Sequence, residues 1–331
     1  MLKIFKTSLC LLILCTFGQT AGALDVDRAD VRGFIDAMVE KHGYDRKVLV
    51  EALREAESQE AILTAISRPA EKTLAWHEYR DIFLTQERIK AGVDFWRQHN
   101  EDLRRISEET GVSCEILVGI IGVETYFGRI TGKYRVLDAL ATLAFDYPPR
   151  SAFFRRELEE FLLLVREEGM SATDATGSYA GAMGAPQFMP SSFRAYAVDS
   201  NDDGKRDIWS DWQDVIGSVA NYFVAHGWQR ETSVVAQASL GEGWRGELPA
   251  NTLSPTETID SLSQQGVMFA ASLPGDHKSQ LLTLAGKDGD EHWVGFHNFF
   301  VITRYNRSVM YALAVHQLGE EIMLEVERSA S

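Results

Sequence analysis

Glu124 ends an almost unbroken apolar run, Glu115-Ile-Leu-Val-Gly-Ile-Ile-Gly-Val-Glu124, and Thr125-Tyr-Phe-Gly128 follows it. The run reads as a buried helix with a carboxylate at its far end. Glutamate is rarely buried alone, because the ionised group loses its hydration. A Glu placed there either has a dedicated partner or has its pKa raised, and a raised pKa suits a general acid. The alternative is a carboxylate turned to solvent or paired with Arg129 or Lys133.

Two further stretches carry chemistry. Gly177-Ser-Tyr-Ala-Gly181-Ala-Met-Gly184-Ala-Pro186-Gln187-Phe-Met-Pro190 is too rich in glycine and proline for regular helix. Glycine lets a backbone approach a ligand closely and proline stiffens a loop, so the stretch reads as an ordered ligand wall around Gln187. A tight connection between helices is the plainer alternative. Asp199, Asn201 and Asp203 then place side-chain oxygens at positions 1, 3 and 5 of an EF-hand-like loop, with Gly204 at 6 and Ile208 at 10. Position 12 is Ser210 instead of Glu, so Asp211 or Asp214 would close a longer loop. A solvated acidic turn is the other reading.

The elements that must hold these groups are mainly helical. Val31, Phe34, Ile35, Met38 and Val39 repeat at helical spacing, and the pattern continues to about Ser67 with a break at His42-Gly43. The spacing predicts one long helix over Ala91–Thr110, and Ser113 is expected to cap the apolar run with its side chain. Further helices are expected over Val136–Ala144, Ser151–Arg166 and Val215–His226. Between about Ser233 and Val294 short β-prone pieces indicate a small β-rich subdomain with a helix near Ile259–Gln265. A closing helix passes through Leu318 and Ile322.

With 331 residues, 45% apolar and 24% charged, the chain can bury a large core. Its first residues stand apart. Lys3 and Lys6 precede an apolar stretch from Leu9 to Phe17, and Ala21-Gly-Ala23 has the small residues of a cleavage site, so residues 1–23 read as a secretory signal peptide. Leu9 and Leu14, before Cys10 and Cys15, do not suit lipidation. Only Cys114 of the three cysteines would remain, which leaves no intramolecular disulfide. Removing Lys3 and Lys6 leaves 31 basic against 48 acidic residues, a formal charge of −17, which argues against nucleic acid as a partner. No nucleotide, haem or zinc motif is present.

Taken in order, Val118-Gly-Ile-Ile-Gly-Val-Glu124-Thr-Tyr-Phe-Gly128, Gly181-Ala-Met-Gly-Ala-Pro-Gln187-Phe-Met-Pro-Ser-Ser192, the calcium-type loop, Gly217-Ser-Val-Ala-Asn-Tyr222-Phe and Thr303-Arg-Tyr305-Asn306 resemble the lytic murein transglycosylase B family. The likeness runs from about Arg28 to Gln317. It implies a mainly α (α+β) fold: a lysozyme-like helical core, an additional helical domain and a small β-rich subdomain. The implied boundaries are 24–110 for the helical domain, 111–230 for the core with its loop at 199–214, 231–296 for the β-rich part and 297–331 for a closing segment.

The implied reaction cleaves the MurNAc–GlcNAc β-1,4 bond of peptidoglycan and leaves a 1,6-anhydro end. Glu124 matches the sole acid/base. Ser178, Gln187 and Asn306 match polar neighbours in the saccharide cleft, and Tyr79, Tyr222, Tyr305 and Tyr311 match its aromatics. Asp199, Asn201, Asp203 and the Lys205 carbonyl match ligands of a structural Ca2+; the closing ligand departs from the family pattern by an extra residue, and Asp214 is the choice for it. The expected partners are glycan strands, with cell-wall synthesis or remodelling proteins beside them, and the expected location is an unanchored periplasmic one. Two rival readings are a hydrolytic muramidase with Asp146, Asp174 or another acid as second carboxylate, and a non-catalytic peptidoglycan-binding protein.

Overall fold

A computed structural model describes residues 22–67, 74–248 and 250–329. Apart from Gly22 and Ala23, the expected signal segment lies outside the described residues. Three helices open the chain, α1 (Ala29–His42), α2 (Arg46–Arg54) and α3 (Glu60–Ile66), with the short strands β1 (Gly22–Ala23) and β2 (Glu57–Ser58) pairing antiparallel around them. Then follow α4 (Trp76–Phe83), α5 (Gln86–Gln98), α6 (Asn100–Thr110), α7 (Cys114–Thr125), β3 (Tyr134–Arg135), α8 (Val136–Asp146) and α9 (Ser151–Glu168). After β4 (Thr176–Gly177) come α10 (Pro190–Tyr196) and α11 (Trp212–Ala225).

The β-rich part is a five-stranded antiparallel sheet of order β6-β8-β9-β5-β7. Its strands are β5 (Val235–Leu240), β6 (Glu257–Thr258), β7 (Val267–Phe269), β8 (Lys278–Ala285) and β9 (Asp290–Gly295), with α12 (Ile259–Gln264) between β6 and β7. The chain closes with α13 (His297–Tyr305) and α14 (Val309–Arg328).

The apolar run of α7 is buried from Ile116 to Val123, which is where a helix with no polar face must go. Helices α5, α6, α11 and α14 surround it, while α8 and α9 pack on each other and receive α3. One continuous apolar core links Leu24 to Ile322, and a smaller one of Ile259, Leu262, Val267, Leu281, Val294 and Phe296 sits under the sheet. Two buried acids pin the structure around it. Asp138 accepts from Arg135, the Glu57 amide and the Gln59 side chain, tying the amino-terminal segment to α8. Glu157 accepts from the Ser191 amide and hydroxyl at the start of α10, and burial pushes its pKa up.

Two expectations need correction. The single helix over Ala91–Thr110 is broken at His99 (φ −114°, ψ 22°), between α5 and α6. The imidazole packs against Phe95 at 4.6 Å and Trp212 at 5.4 Å, so a contact from α11 fixes a kink that periodicity cannot show. Ser113 does stand before α7, but its side chain makes no capping hydrogen bond.

On α14, burial pulls the His316 imidazole down to about 4. Glu320, its neighbour at 3.2 Å, is half-exposed. The unfolded chain therefore binds a proton between about pH 6.5 and 4 that the folded chain refuses, so stability is lost as pH falls through this window. We expect a loss of about 2 kcal/mol from this group. Urea midpoints at pH 7 and 4.5 check it: His316→Leu should show a smaller drop than the parent protein, and an equal drop would refute the assignment.

Candidate active site

Glu124 is half-buried in the last turn of α7. Directly after the helix Tyr126 (φ 52°), Phe127 (φ 57°) and Gly128 (φ 78°) all adopt left-handed backbone. Two of the three are not glycine, a strained arrangement that turns the chain away from the carboxylate. Packing holds it. Thr125 Oγ1 donates to the Ala185 carbonyl at 3.0 Å and accepts from the Gly128 amide at 3.1 Å. Arg88 donates to the Gly122 carbonyl at 3.0 Å, and its guanidinium lies over the Tyr126 and Phe83 rings at 4.7 and 5.2 Å. Burial lowers the Arg88 pKa. Neither Thr125 nor Arg88 was picked out from the sequence.

Across the cleft stands α14. The Tyr311 hydroxyl donates to Glu124 Oε1 at 2.5 Å. Burial, and then the Glu124 charge, pushes the Tyr311 pKa well above the usual phenol range, so it stays a donor. The Tyr305 pKa is raised by the same two causes in the same order. Tyr305 donates to the Pro186 carbonyl at 2.6 Å, and Tyr222 to the Arg304 carbonyl at 2.7 Å. Their rings lie 4.8 Å apart, and Phe188 packs on both. Both tyrosines thus have their hydroxyl protons engaged by backbone, and the buried Tyr222 ring is stacked on the His226 imidazole at 4.1 Å. Tyr79 is buried with its ring 5.2 Å from Phe83.

The glycine- and proline-rich stretch is an ordered wall. Gln187 has φ 54°, and its Nε2 donates to the Thr131 and Gly184 carbonyls at 3.0 and 2.9 Å. Only its amide oxygen is left to meet a ligand. Ser178 Oγ accepts from the Ala180 and Ala182 amides, so its hydroxyl proton can point outward. Asn306 ends α13, and its carbonyl accepts from the Ser308 amide at 2.7 Å.

The chain and its fold match known proteins. The family model described as a transglycosylase SLT domain matches residues 27–320. The chain belongs to that family. Membrane-bound lytic murein transglycosylase B of Escherichia coli is 44% identical over 300 residues, covering 88% of this chain and 82% of the relative. The soluble lytic transglycosylase SltB1 of Pseudomonas aeruginosa, in its catenated form, superposes with a TM-score of 0.86 at 50% identity, covering 90% of this chain and 98% of that one. Escherichia coli Slt35 in complex with calcium gives 0.82 at 42% identity, covering 93% and 96%.

In this transglycosylase the two acids named for the hydrolytic alternative are placed as follows. Asp146 accepts from Arg28 and Ser58, both at 2.6 Å, and Asp174 lies on an exposed turn. As for the solvent-facing alternative of Glu124, Arg129 is exposed and lies over the Tyr126 ring at 4.9 Å.

The calcium-type loop abuts the wall: the Ile208 carbonyl accepts from the Ala185 amide at 2.9 Å, and Trp209 donates to the Thr176 carbonyl at 3.0 Å. Within the loop the Asp199, Asn201 and Asp203 side chains accept from the loop's own amides at Asp203, Gly204 and Lys205. Asp214 is buried and accepts from Ser200 and Asp207 at 2.7 and 2.8 Å, so it ties both limbs together. Burial raises its pKa. Asp211 caps α11 and accepts from Asn201. Among the described residues no three Asp, Glu, His or Cys side chains gather as metal ligands. The all-oxygen donor set and the sharp turn at Gly204 (φ 88°) nevertheless suit a hard divalent cation.

Proposed function

We propose that Glu124 is the single acid/base of a lytic transglycosylase that cleaves the MurNAc–GlcNAc β-1,4 bond of peptidoglycan. The observation that carries this reading is the Tyr311–Glu124 hydrogen bond inside a wall of aromatic rings. Tyr311 occupies Oε1 and directs the acidic proton to the other oxygen. That proton passes to the glycosidic oxygen as the C1–O bond breaks. The resulting carboxylate, steadied by the Tyr311 donor, then takes the proton of the muramoyl C6 hydroxyl while O6 bonds to C1. No water is consumed. Charge at C1 is offset by the substrate's own acetamido group, so the pair of carboxylates that a hydrolase uses is not required.

In this reading the half-buried Tyr305 ring meets the apolar faces of the sugars, whereas the buried Tyr222 and Tyr79 rings, expected beside it, pack behind the cleft. Ser178, the Gln187 oxygen and Asn306 meet their amide and hydroxyl groups. Digestion of purified sacculi followed by mass spectrometry tests it. Anhydro ends are expected; products one water heavier would make the enzyme a muramidase, and no products at all would leave a binding protein.

Calcium belongs to the same proposal. Asp199, Asn201, Asp203, the Lys205 carbonyl and Asp214 would hold the ion, and when bound it supplies charge compensation to a loop hydrogen-bonded to the cleft wall. Calcium at a hundredfold its Kd should stabilise the fold by about 2.7 kcal/mol. Tm measured with calcium and with chelator checks this, and an unchanged Tm rejects the site. Export to the periplasm rests on the charged and apolar pattern of residues 1–23. No helix among the described residues is long and apolar enough to cross a membrane.

A further inference from the structure

Helix α7 ends without a basic residue in its last turn. The last carbonyls of a helix lack amide partners and carry partial negative charge, so a donor or a cation is favoured there. Arg88 of α5 supplies both. The Thr85 hydroxyl accepts from the Arg88 amide at 3.2 Å and caps α5, which fixes the backbone that carries this side chain. Its Nη1 donates to the Gly122 carbonyl at 3.0 Å, the same oxygen that accepts from the Tyr126 amide at 3.2 Å. The half-buried guanidinium also lies over the Tyr126 ring at 4.7 Å and the Phe83 ring at 5.2 Å.

These contacts fall on either side of Glu124. Gly122 precedes it by two residues and Tyr126 follows it by two. Neither anchor has slack. A Cβ at Gly122 would lie 2.8 Å from the Phe127 ring and 2.9 Å from the Leu318 side chain. Tyr126 opens the left-handed turn, and Arg129 covers its ring at 4.9 Å. One side chain from another helix thus pins both flanks of the peptide that bears the carboxylate.

We infer that Arg88 is a positioning residue for the reaction: by gripping Gly122 and Tyr126 together it holds the Glu124 carboxylate where proton transfer to the glycosidic oxygen requires it. The inference rests on the proposed role of Glu124 as acid/base. A guanidinium suits the task, because it donates in its plane and stacks through its face at the same time. An ammonium is a point charge and cannot do both in one plane. Misplacing a reacting group by about 1 Å costs about 10^2-fold in rate, so a residue that transfers no proton still governs kcat.

Steady-state kinetics of the full protein on soluble glycan strands test this. Arg88→Ala should lower kcat about tenfold to a hundredfold and leave KM within about twofold, since the contacts to the sugars are untouched. Free guanidinium at about 20 mM, far below denaturing concentrations, should refill the gap and raise the kcat of Arg88→Ala at least about threefold, while the parent protein gains nothing. Arg88→Lys keeps the charge without the plane, and serves if the alanine protein does not fold. Its kcat should fall about threefold to tenfold with KM unchanged. A parental kcat in either folded variant, a KM that rises as kcat falls, or no recovery of Arg88→Ala with guanidinium overturns the inference. Glu124→Gln measured alongside keeps the two readings apart. Turnover lost in Glu124→Gln but parental in Arg88→Ala rejects only the positioning role, whereas turnover retained in Glu124→Gln rejects the acid/base reading beneath it.

Discussion

Glu124→Gln is expected to lower anhydro-product formation by about 10^2–10^4-fold, the range that a positioned acid/base contributes. The amide is close to isosteric and can still accept from the Tyr311 hydroxyl, so the cleft keeps its shape while the transferable proton is lost. Binding to sacculi should therefore survive. Counting anhydro ends by mass spectrometry beside a sacculus pull-down gives both quantities. Undiminished turnover would remove Glu124 from the reaction, and a parallel loss of binding would reduce it to a structural group.

Gly319→Ala should be the most damaging small change away from the cleft. A Cβ there would lie 2.1 Å from the Glu115 carbonyl oxygen, and one at Gly119 would lie 2.4 Å from that of Val315. Helices α7 and α14 thus touch backbone to backbone in both directions. This close approach brings Tyr311 within hydrogen-bonding distance of Glu124. In an open helix Gly→Ala gains up to about 1 kcal/mol, so the sign of the effect is diagnostic. Here backbone atoms cannot yield, and a loss of about 3 kcal/mol is expected, with reduced turnover as Tyr311 moves off. The urea midpoint and kcat decide it. A stabilised Gly319→Ala protein would contradict the packing account.

Much of the architecture was legible because it is written in local patterns. The period of α1 and α9 follows from one apolar stripe, and the all-round apolar run of α7 could only be a buried helix. Glycine and proline between 177 and 190 announced an irregular wall, and the structure places Gln187 in left-handed backbone within it. His99 and Ser113 were misread for one reason: a kink set by Trp212 and a cap left unused depend on neighbours remote in sequence.

Sequence alone singled out the carboxylate proposed here as the acid, and placed it at the end of a buried helix with tyrosines named beside it. Tertiary structure alone decided what each does. The Tyr311 hydroxyl, 187 positions from Glu124, meets the carboxylate, while those of Tyr305 and Tyr222 meet backbone carbonyls. The reason is physical. A residue type fixes what a side chain can donate or accept, but its partner is fixed by which backbones approach, and here two helical glycines set that approach.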